Sequence, residues 1–364
     1  MPLSDLMAEC ARLAAGGGAG ALASVARRRG SLPMSGTAKM LVAATGARLG
    51  TVGGGCLEAE IIERALDVTE RRAPALSEHT LNAELAGDYG LTCGGTVMML
   101  IEPVYPDALL ERVYAACASL LARGGRGTLV TGTDWSRGPA KLLVRDGERA
   151  GAGDPALLAV AARFGDDQEF PELAEGVLAE RIAGAPRLLV FGGGHVGARV
   201  GEAATFAGWR VTIVDDRPEY ADSARLAFAE RTVVCDFADL PATLAVDPST
   251  YVVVCTRGHQ HDAAIVDQLA RLDTRYLGML GSRRKVELTW RLLERAGIPR
   301  ARLERVHAPV GLSIGADTPE EIAISVVAEM IAVRRAESAR RGGRTSATAS
   351  TAAVLSSSRT TSDQ

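Results

Sequence analysis

Two cysteines of this chain stand beside glycines: Gly53-Gly54-Gly55-Cys56, and Cys93-Gly94-Gly95. Cys56 precedes Leu57-Glu58-Ala59-Glu60, where a helix is expected to begin. A helix N-terminus favours a thiolate, and glycine neighbours let a large ligand approach the backbone. Such a thiolate could ligate a metal or take part in sulfur exchange. The other reading makes both cysteines small buried hydrophobes, the usual fate of a free thiol.

A second set of residues points to phosphate. Gly192, Gly194 and Gly197 form G-x-G-x-x-G directly after an apolar run and at the mouth of a helical one. The first glycine allows the tight turn, the second lets a pyrophosphate approach, and the third lets helix and strand pack closely. Amides at the helix N-terminus then face the anion. Asp215 closes the next apolar run, where an acid can bond a ribose hydroxyl. His195, inside the turn, could donate to a phosphate or reach a substrate, or bond its own backbone. Glycines that serve packing alone are the alternative reading.

Other strand ends should deliver polar residues to the same edge. Cys255-Thr256-Arg257-Gly258-His259-Gln260-His261-Asp262 follows the fourth apolar run, and Gly281-Ser282-Arg283-Arg284-Lys285 follows the fifth and opens a helix. The latter adds cations to free helix amides, a phosphate grip or else a solvated basic turn. His259-Gln260-His261-Asp262 invites a metal reading, but ligands at i and i+2 without a second cluster are thin support.

The elements that position these groups follow from periodicity. RLLVFG, RVTIVDD, RTVVC, TYVVVCT and RYLGML read as buried strands, with ARVGEAATFAG, LPATLA and HDAAIVDQLARL as crossover helices. This spacing predicts an α/β fold whose C-terminal part, 186–335, is a Rossmann-like doubly wound parallel sheet. Residues 318–335 predict a helix with Thr318 as N-cap, Pro319 at the first turn and Glu321 closing a capping box. The Ser/Thr/Arg-rich tail, 336–364, has no core-forming content and is expected to be disordered.

Residues 1–185 predict an α+β domain: two strands around a turn at Thr45-Gly46, a helix from Cys56, and a strand in TCGGTVMMLIEPV. AKMLVAATGARLG, from Ala38, is echoed by AKLLVRDGERAG, from Ala140. A duplicated hairpin would produce this echo, and so would two unrelated hairpins obeying the same turn chemistry. If it is a duplication, GAGDP stands where the first copy has GTVGGGC.

Composition narrows the function classes. The chain has 364 residues, 47% apolar and 23% charged, with a formal net charge of -3. From Arg334 onward six arginines face two carboxylates, a +4 tail against a body of about -7, with no basic patch arguing for nucleic acid. The six cysteines form no CxxC pair. With no signal-like N-terminus and no eighteen-residue apolar run, a cytoplasmic protein with reduced thiols is expected.

AKMLV, GTVGGGCLEAEI and LTCGGTV, together with LLVFGGGHVG, VTIVDDRPEY, TRGHQHD, YLGMLGSRRK and PVGLSIGADTPEEIAISVVAEM, make the chain resemble the XdhC/CoxI family. These are accessory proteins of molybdenum hydroxylases such as xanthine dehydrogenase and carbon monoxide dehydrogenase. The resemblance implies a maturation factor rather than an enzyme. It would bind molybdenum cofactor (molybdopterin or its dinucleotide form), shield it while a cysteine desulfurase supports sulfuration, and deliver it to the hydroxylase catalytic subunit. It also implies a homodimer. Cys56 would contact the molybdenum, with Cys93 nearby. The stretch from about Asp107 to Ala185 carries little of the resemblance. Two other readings stand beside it: an NAD(P)-dependent oxidoreductase, for which no acid–base pair is found, and a nucleotide-sensing regulatory subunit.

Overall fold

A computed structural model describes residues 2–30, 32, 34–81, 95–165, 168 and 170–335, without the Cys56 and Leu81 side chains. The chain divides into two compact units, 1–184 and 185–364. Cys93 and the tail expected to be disordered lie outside the described residues. No described helix is long and apolar enough to cross a membrane.

The first unit repeats one pattern twice. Its first half runs α1 (Leu3–Arg12), β1 (Gly20–Gly30), β2 (Lys39–Ala43), β3 (Arg48–Thr51), α2 (Gly55–Arg71), β4 (Ala75–Leu81) and β5 (Gly95–Val104). The second half runs α3 (Ala108–Ala122), β6 (Arg126–Gly132), β7 (Lys141–Arg145), β8 (Glu148–Gly151), α4 (Pro155–Arg163), β9 (Glu172–Ala174) and β10 (Val177–Ala183). The two antiparallel sheets have the same order, β3-β2-β1-β5-β4 and β8-β7-β6-β10-β9. The echoed hairpins are β2–β3 and β7–β8, so the duplication is real and spans the unit. Cys10 and Cys117, Gly20 and Gly127, Leu22 and Leu129, and Ser24 and Thr131 share one constant offset.

The copies are joined by their buried charges. Lys39 lies opposite Ser24, and Lys141 opposite Thr131, at the same place in each sheet. Lys39 Nζ donates to Ser24 Oγ at 2.7 Å and to Glu180 of the other copy at 2.5 Å. Lys141 Nζ donates to Thr131 Oγ1 at 2.8 Å and to Glu102 of the other copy at 2.5 Å. All four charged side chains are buried. A buried ion needs a partner and further hydrogen bonds, and this crossed arrangement supplies both to each lysine; Glu102 Oε1 also accepts Tyr114 Oη at 2.9 Å, while its Oε2 has no partner among the described residues. Around it, α1 and α3 pack Leu6, Cys10, Leu110, Tyr114 and Cys117 into a shared core.

The second unit contains β11 (Arg187–Phe191), α5 (His195–Phe206), β12 (Arg210–Asp215), β13 (Arg231–Val234), β14 (Tyr251–Val254), α6 (His259–Leu269), β15 (Tyr276–Met279), α7 (Arg283–Arg295) and α8 (Arg300–Leu303), then a helix over 319–335, α9. Its parallel sheet has the order β13-β12-β11-β14-β15, a Rossmann arrangement. The strands are apolar on both faces because cores cover both sides. LPATLA departs from expectation: only Ala242–Leu244 turns, as a 3-10 segment behind Pro241. Six residues with proline at the entrance cannot sustain a longer helix. At α9 the capping box forms as expected, with Glu321 N–H on Thr318 Oγ1 at 3.2 Å and Thr318 N–H on Glu321 Oε2 at 3.2 Å.

Candidate functional site

In the second unit the sheet order reverses on either side of β11, so a crevice is expected at the carboxyl ends of β11 and β14. The glycine turn sits there, and the three glycines of its fingerprint do different work. Gly192 has φ 103°, and a Cβ on it would crowd the Cys255 carbonyl. A Cβ on Gly197 would collide with the Gly192 carbonyl oxygen. Gly194 has nothing within 4 Å of where a Cβ would be. Packing accounts for the first and third glycines but leaves the second beside open space. Gly194 is also the N-cap of α5 and supplies no side-chain cap, so the first-turn amides have no side-chain acceptor there. His195 is exposed on this first turn.

Asp215 is turned inward. Gly193 N–H donates to its Oδ2 at 2.8 Å, and Arg217 N–H and Nε donate to its Oδ1 at 3.1 Å each. Burial works to raise its pKa, but the bonds from Arg217 and Gly193 outweigh that and hold the carboxyl below its ordinary value. The acid expected at a ribose hydroxyl therefore stabilises the turn itself. Its neighbour Asp216, which nothing in the residue pattern singles out, accepts both Arg257 Nη1 at 3.0 Å and Nη2 at 2.7 Å. Arg217 stacks on Tyr220, with the guanidinium carbon 3.6 Å from the ring centroid.

The basic turn also divides. Lys285 donates to buried Asp262 at 2.5 Å and to the Leu280 carbonyl at 3.2 Å, so it is committed within the fold. Asp262 further accepts Thr256 Oγ1 at 2.6 Å and Thr256 N–H at 3.1 Å. Ser282 caps α7 by accepting Lys285 N–H. Arg283 and Arg284 are exposed, with no partner among the described residues. His259 is exposed at the start of α6, and His261 packs edge-on against Phe237 at 5.6 Å. Among the described residues no cluster of His, Cys, Asp or Glu could hold a metal. Burial pushes the Cys255 thiol up to about 12, so it is no nucleophile.

The glycine–cysteine loop belongs to the first unit. Gly53, Gly54 and Gly55 have φ of 120°, 78° and 66°, and the last two face open space. Three such residues in a row are accessible only to glycine without strain. Cys56 is the second residue of α2, whose N-cap, Gly54, offers no side chain. Glu58 reaches back from the first turn. One carboxylate oxygen accepts Thr51 Oγ1 at 2.5 Å, Val52 N–H at 3.1 Å and Gly54 N–H at 3.1 Å. The Thr51 hydrogen bond, with the two amides, lowers the Glu58 pKa despite some burial. Glu58 is a site residue that motif reasoning passes over, although its place four residues after Gly54 resembles the reach of a capping box.

Both regions carry family resemblance beyond their geometry. Residues 188–330 match the family model for the XdhC Rossmann domain, and residues 13–80 match that for the XdhC and CoxI family. The chain belongs to the XdhC and CoxI family. It is 28% identical over 318 residues to a probable xanthine dehydrogenase subunit of Bacillus subtilis (strain 168), covering 86% of this chain and 93% of that one. It is also 28% identical over 320 residues to an uncharacterized protein, YqeB, of Escherichia coli (strain K12), of which it spans 43%. A Bacillus halodurans crystal structure described as a xanthine dehydrogenase superposes with a TM-score of 0.76 at 26% identity, covering 92% of this chain and 96% of that one. In this XdhC-family chain the second copy, α3 to β10, falls in the interval between the two matched segments.

Proposed function

We propose that this chain is an accessory protein of a xanthine-dehydrogenase-type molybdenum hydroxylase, and that it binds molybdenum cofactor, protects it and passes it to the hydroxylase catalytic subunit. Family membership and the relative named as a xanthine dehydrogenase subunit support the accessory role. The observation that carries the binding reading is Gly194, the one fingerprint glycine that packing leaves free, at an uncapped helix start. The fit to a phosphate-bearing group is good: the α5 amides offer hydrogen bonds, and Arg283 and Arg284 offer cations not already paired among the described residues. Bound, the cofactor would supply the molybdenum centre that the client hydroxylase uses.

The protein's residues have separable tasks in this reading. Gly194 leaves the backbone accessible, and Arg283 and Arg284 hold the anion. Cys56, at the start of α2, is the thiolate that contacts molybdenum or takes part in sulfur exchange, with a cysteine desulfurase as sulfur donor. The protein would act in the cytoplasm as a homodimer. The inward-turned Asp215 weighs against the NAD(P)-oxidoreductase reading, because the acid that would bond a ribose is already engaged.

The test is to purify the chain from cells that make molybdenum cofactor and assay molybdenum and pterin. Stoichiometric NAD without pterin would overturn the proposal. Gly194→Val should fold and lose the cofactor, and Arg283→Ala/Arg284→Ala should weaken its retention and flatten the salt dependence. Cys56→Ser should fold yet fail to yield active client enzyme. Client activation equal to the parent's would remove the cysteine from the mechanism.

A further inference from the structure

Two helices on one side of the parallel sheet leave an apolar face uncovered. The buried sides of α5 and α9 share a core, with Val200 and Ala204 from one and Val326 and Met330 from the other. Arg199 Nε donates to Glu320 Oε1 at 3.0 Å near their starts, and the Arg334 guanidinium carbon lies 4.1 Å from the Trp209 ring centroid near their ends. The two helices therefore run parallel and level. A rise of about 1.5 Å per residue then sets Phe206 between the heights of Ile324 and Ile331 on the outer side. Phe206 is 96% exposed, Ile324 60% and Ile331 36%. Leu312, whose N–H donates to the Ser325 carbonyl at 3.2 Å, carries the patch on to Ile314, 59% exposed.

Exposed apolar side chains are ordinary one at a time, but a cluster of them marks a binding surface. Together these side chains offer on the order of 500 Å², the upper end of what a monomer leaves in water. The charges around them have an order. α9 opens with Glu320 and Glu321 and closes with Arg334 and Arg335. Glu320 and Arg335 lie equally far from the middle of the helix, between residues 327 and 328, and so do Ile324 and Ile331. Helical spacing keeps these four on one stripe. An antiparallel second α9 would therefore set isoleucine on isoleucine and acid on base. A surface that complements itself under a two-fold rotation is what a dimer of identical chains requires. A foreign partner would require no such symmetry.

We propose that the outer face of α5 and α9 receives a second copy of this chain, its α9 antiparallel to the first about a two-fold axis. Ile324 packs on the second copy's Ile331, half-buried Ala328 beside the axis lets the backbones approach, and Phe206 flanks the seam. Glu320, while bonded to Arg199, meets the second copy's Arg335. Two facing patches bury on the order of 1,000 Å² of apolar area before the charged rim is counted, enough for a specific interface. The apolar centre supplies affinity, and the rim pairs fix the orientation. This rests on the homodimer reading and gives that dimer a surface.

The experiment is sedimentation equilibrium of the full chain over a range of concentrations. The parent should be a dimer. Phe206→Glu and Ile324→Glu should each weaken it about a hundredfold. Their thermal midpoints should stay near the parent's, because both positions are exposed. Glu320→Arg and Arg335→Glu should each weaken the dimer about fivefold, and an equimolar mixture of those two chains should regain the parent's affinity. The mixture is diagnostic, because antiparallel self-pairing puts each changed residue against the other. A dimer indifferent to Phe206→Glu and Ile324→Glu, or a mixture as weak as its components, overturns this surface and leaves the homodimer reading standing. A monomeric parent overturns both, and loss of client association by Phe206→Glu in that case assigns the face to the hydroxylase. Pterin content of the same preparations reports on the cofactor reading alone.

Discussion

The two copies within the first unit share a frame and differ in one loop. In both, a glycine ends the hairpin, Gly50 at φ 84° and Gly151 at φ 132°, and a Cβ on either would strike the carbonyl of the buried lysine, Lys39 or Lys141. Beyond that glycine the copies part. The second copy continues into Asp154, whose carboxylate caps α4 by accepting Ala156 N–H at 2.7 Å, with Pro155 in the first turn. That helix start satisfies itself. The first copy continues into three left-handed glycines and Cys56, steadied by Glu58 from inside the helix. The frame needs its buried charges in both copies, because each lysine completes the other copy's carboxylate. Among the described residues the loop makes no hydrogen bond to either pair, and only the first copy carries residue types suited to a ligand.

The largest effect is expected in the shared frame. Lys141→Met should cost about 3–5 kcal/mol, because it leaves Glu102 buried without its cation. Lys39→Met should cost a similar amount through Glu180, and Lys141→Met/Glu102→Gln should regain most of the loss. Urea unfolding of the three variants measures this. A cost below about 1 kcal/mol for one lysine only would show that the copies are not energetic equivalents.

A smaller contrast lies at the helix starts. Gly54→Ala forces a side chain to φ 78°, ψ -178°, a region almost reserved for glycine, and should cost about 1–3 kcal/mol. Asp154→Ala removes a cap and should cost about 1 kcal/mol. Only Gly54→Ala should reduce pterin retention. Equal retention in both variants would erase the functional difference between the copies.

The smallest effect concerns Glu58. Its folded pKa is lowered, so its contribution is present above the unfolded value of about 4.3 and is lost as pH falls through the folded pKa. Because the group is only partly buried and solvent still screens it, the contribution should stay below about 1 kcal/mol. Glu58→Gln should therefore lower the thermal midpoint slightly at pH 7, and the difference should close in acid below that lowered pKa. A gap that persists in acid where the folded carboxyl is protonated would assign Glu58 a role other than an ionised acceptor.

Much of this was legible in the residue pattern. The five parallel strands, the glycine turn, the capping box at Thr318 and the Thr45-Gly46 hairpin are local features, set by side-chain period and by turn residues within a few positions of one another. The hairpin echo was legible too, but whether it meant duplication was not, because hairpin chemistry alone yields the same letters. LPATLA has a composition that permits a helix, whereas its length and Pro241 do not.

What the residue order determined by itself is where the chain turns, which faces are apolar, and which glycines stand beside cysteine or open a helix. Those depend on contacts of short sequence separation. Only the tertiary structure decided which charges remain available. Lys285 and Arg283 are two letters apart, yet packing of α6 against α7 commits the lysine to Asp262 while no described residue pairs with the arginine. Asp215 and Asp216 are adjacent, yet the first, the last residue of β12, turns inward to Gly193, and the second, just beyond the strand, meets Arg257. Lys39 meets Glu180 across 141 residues, a pairing set by how two sheets pack and not by any pattern along the chain.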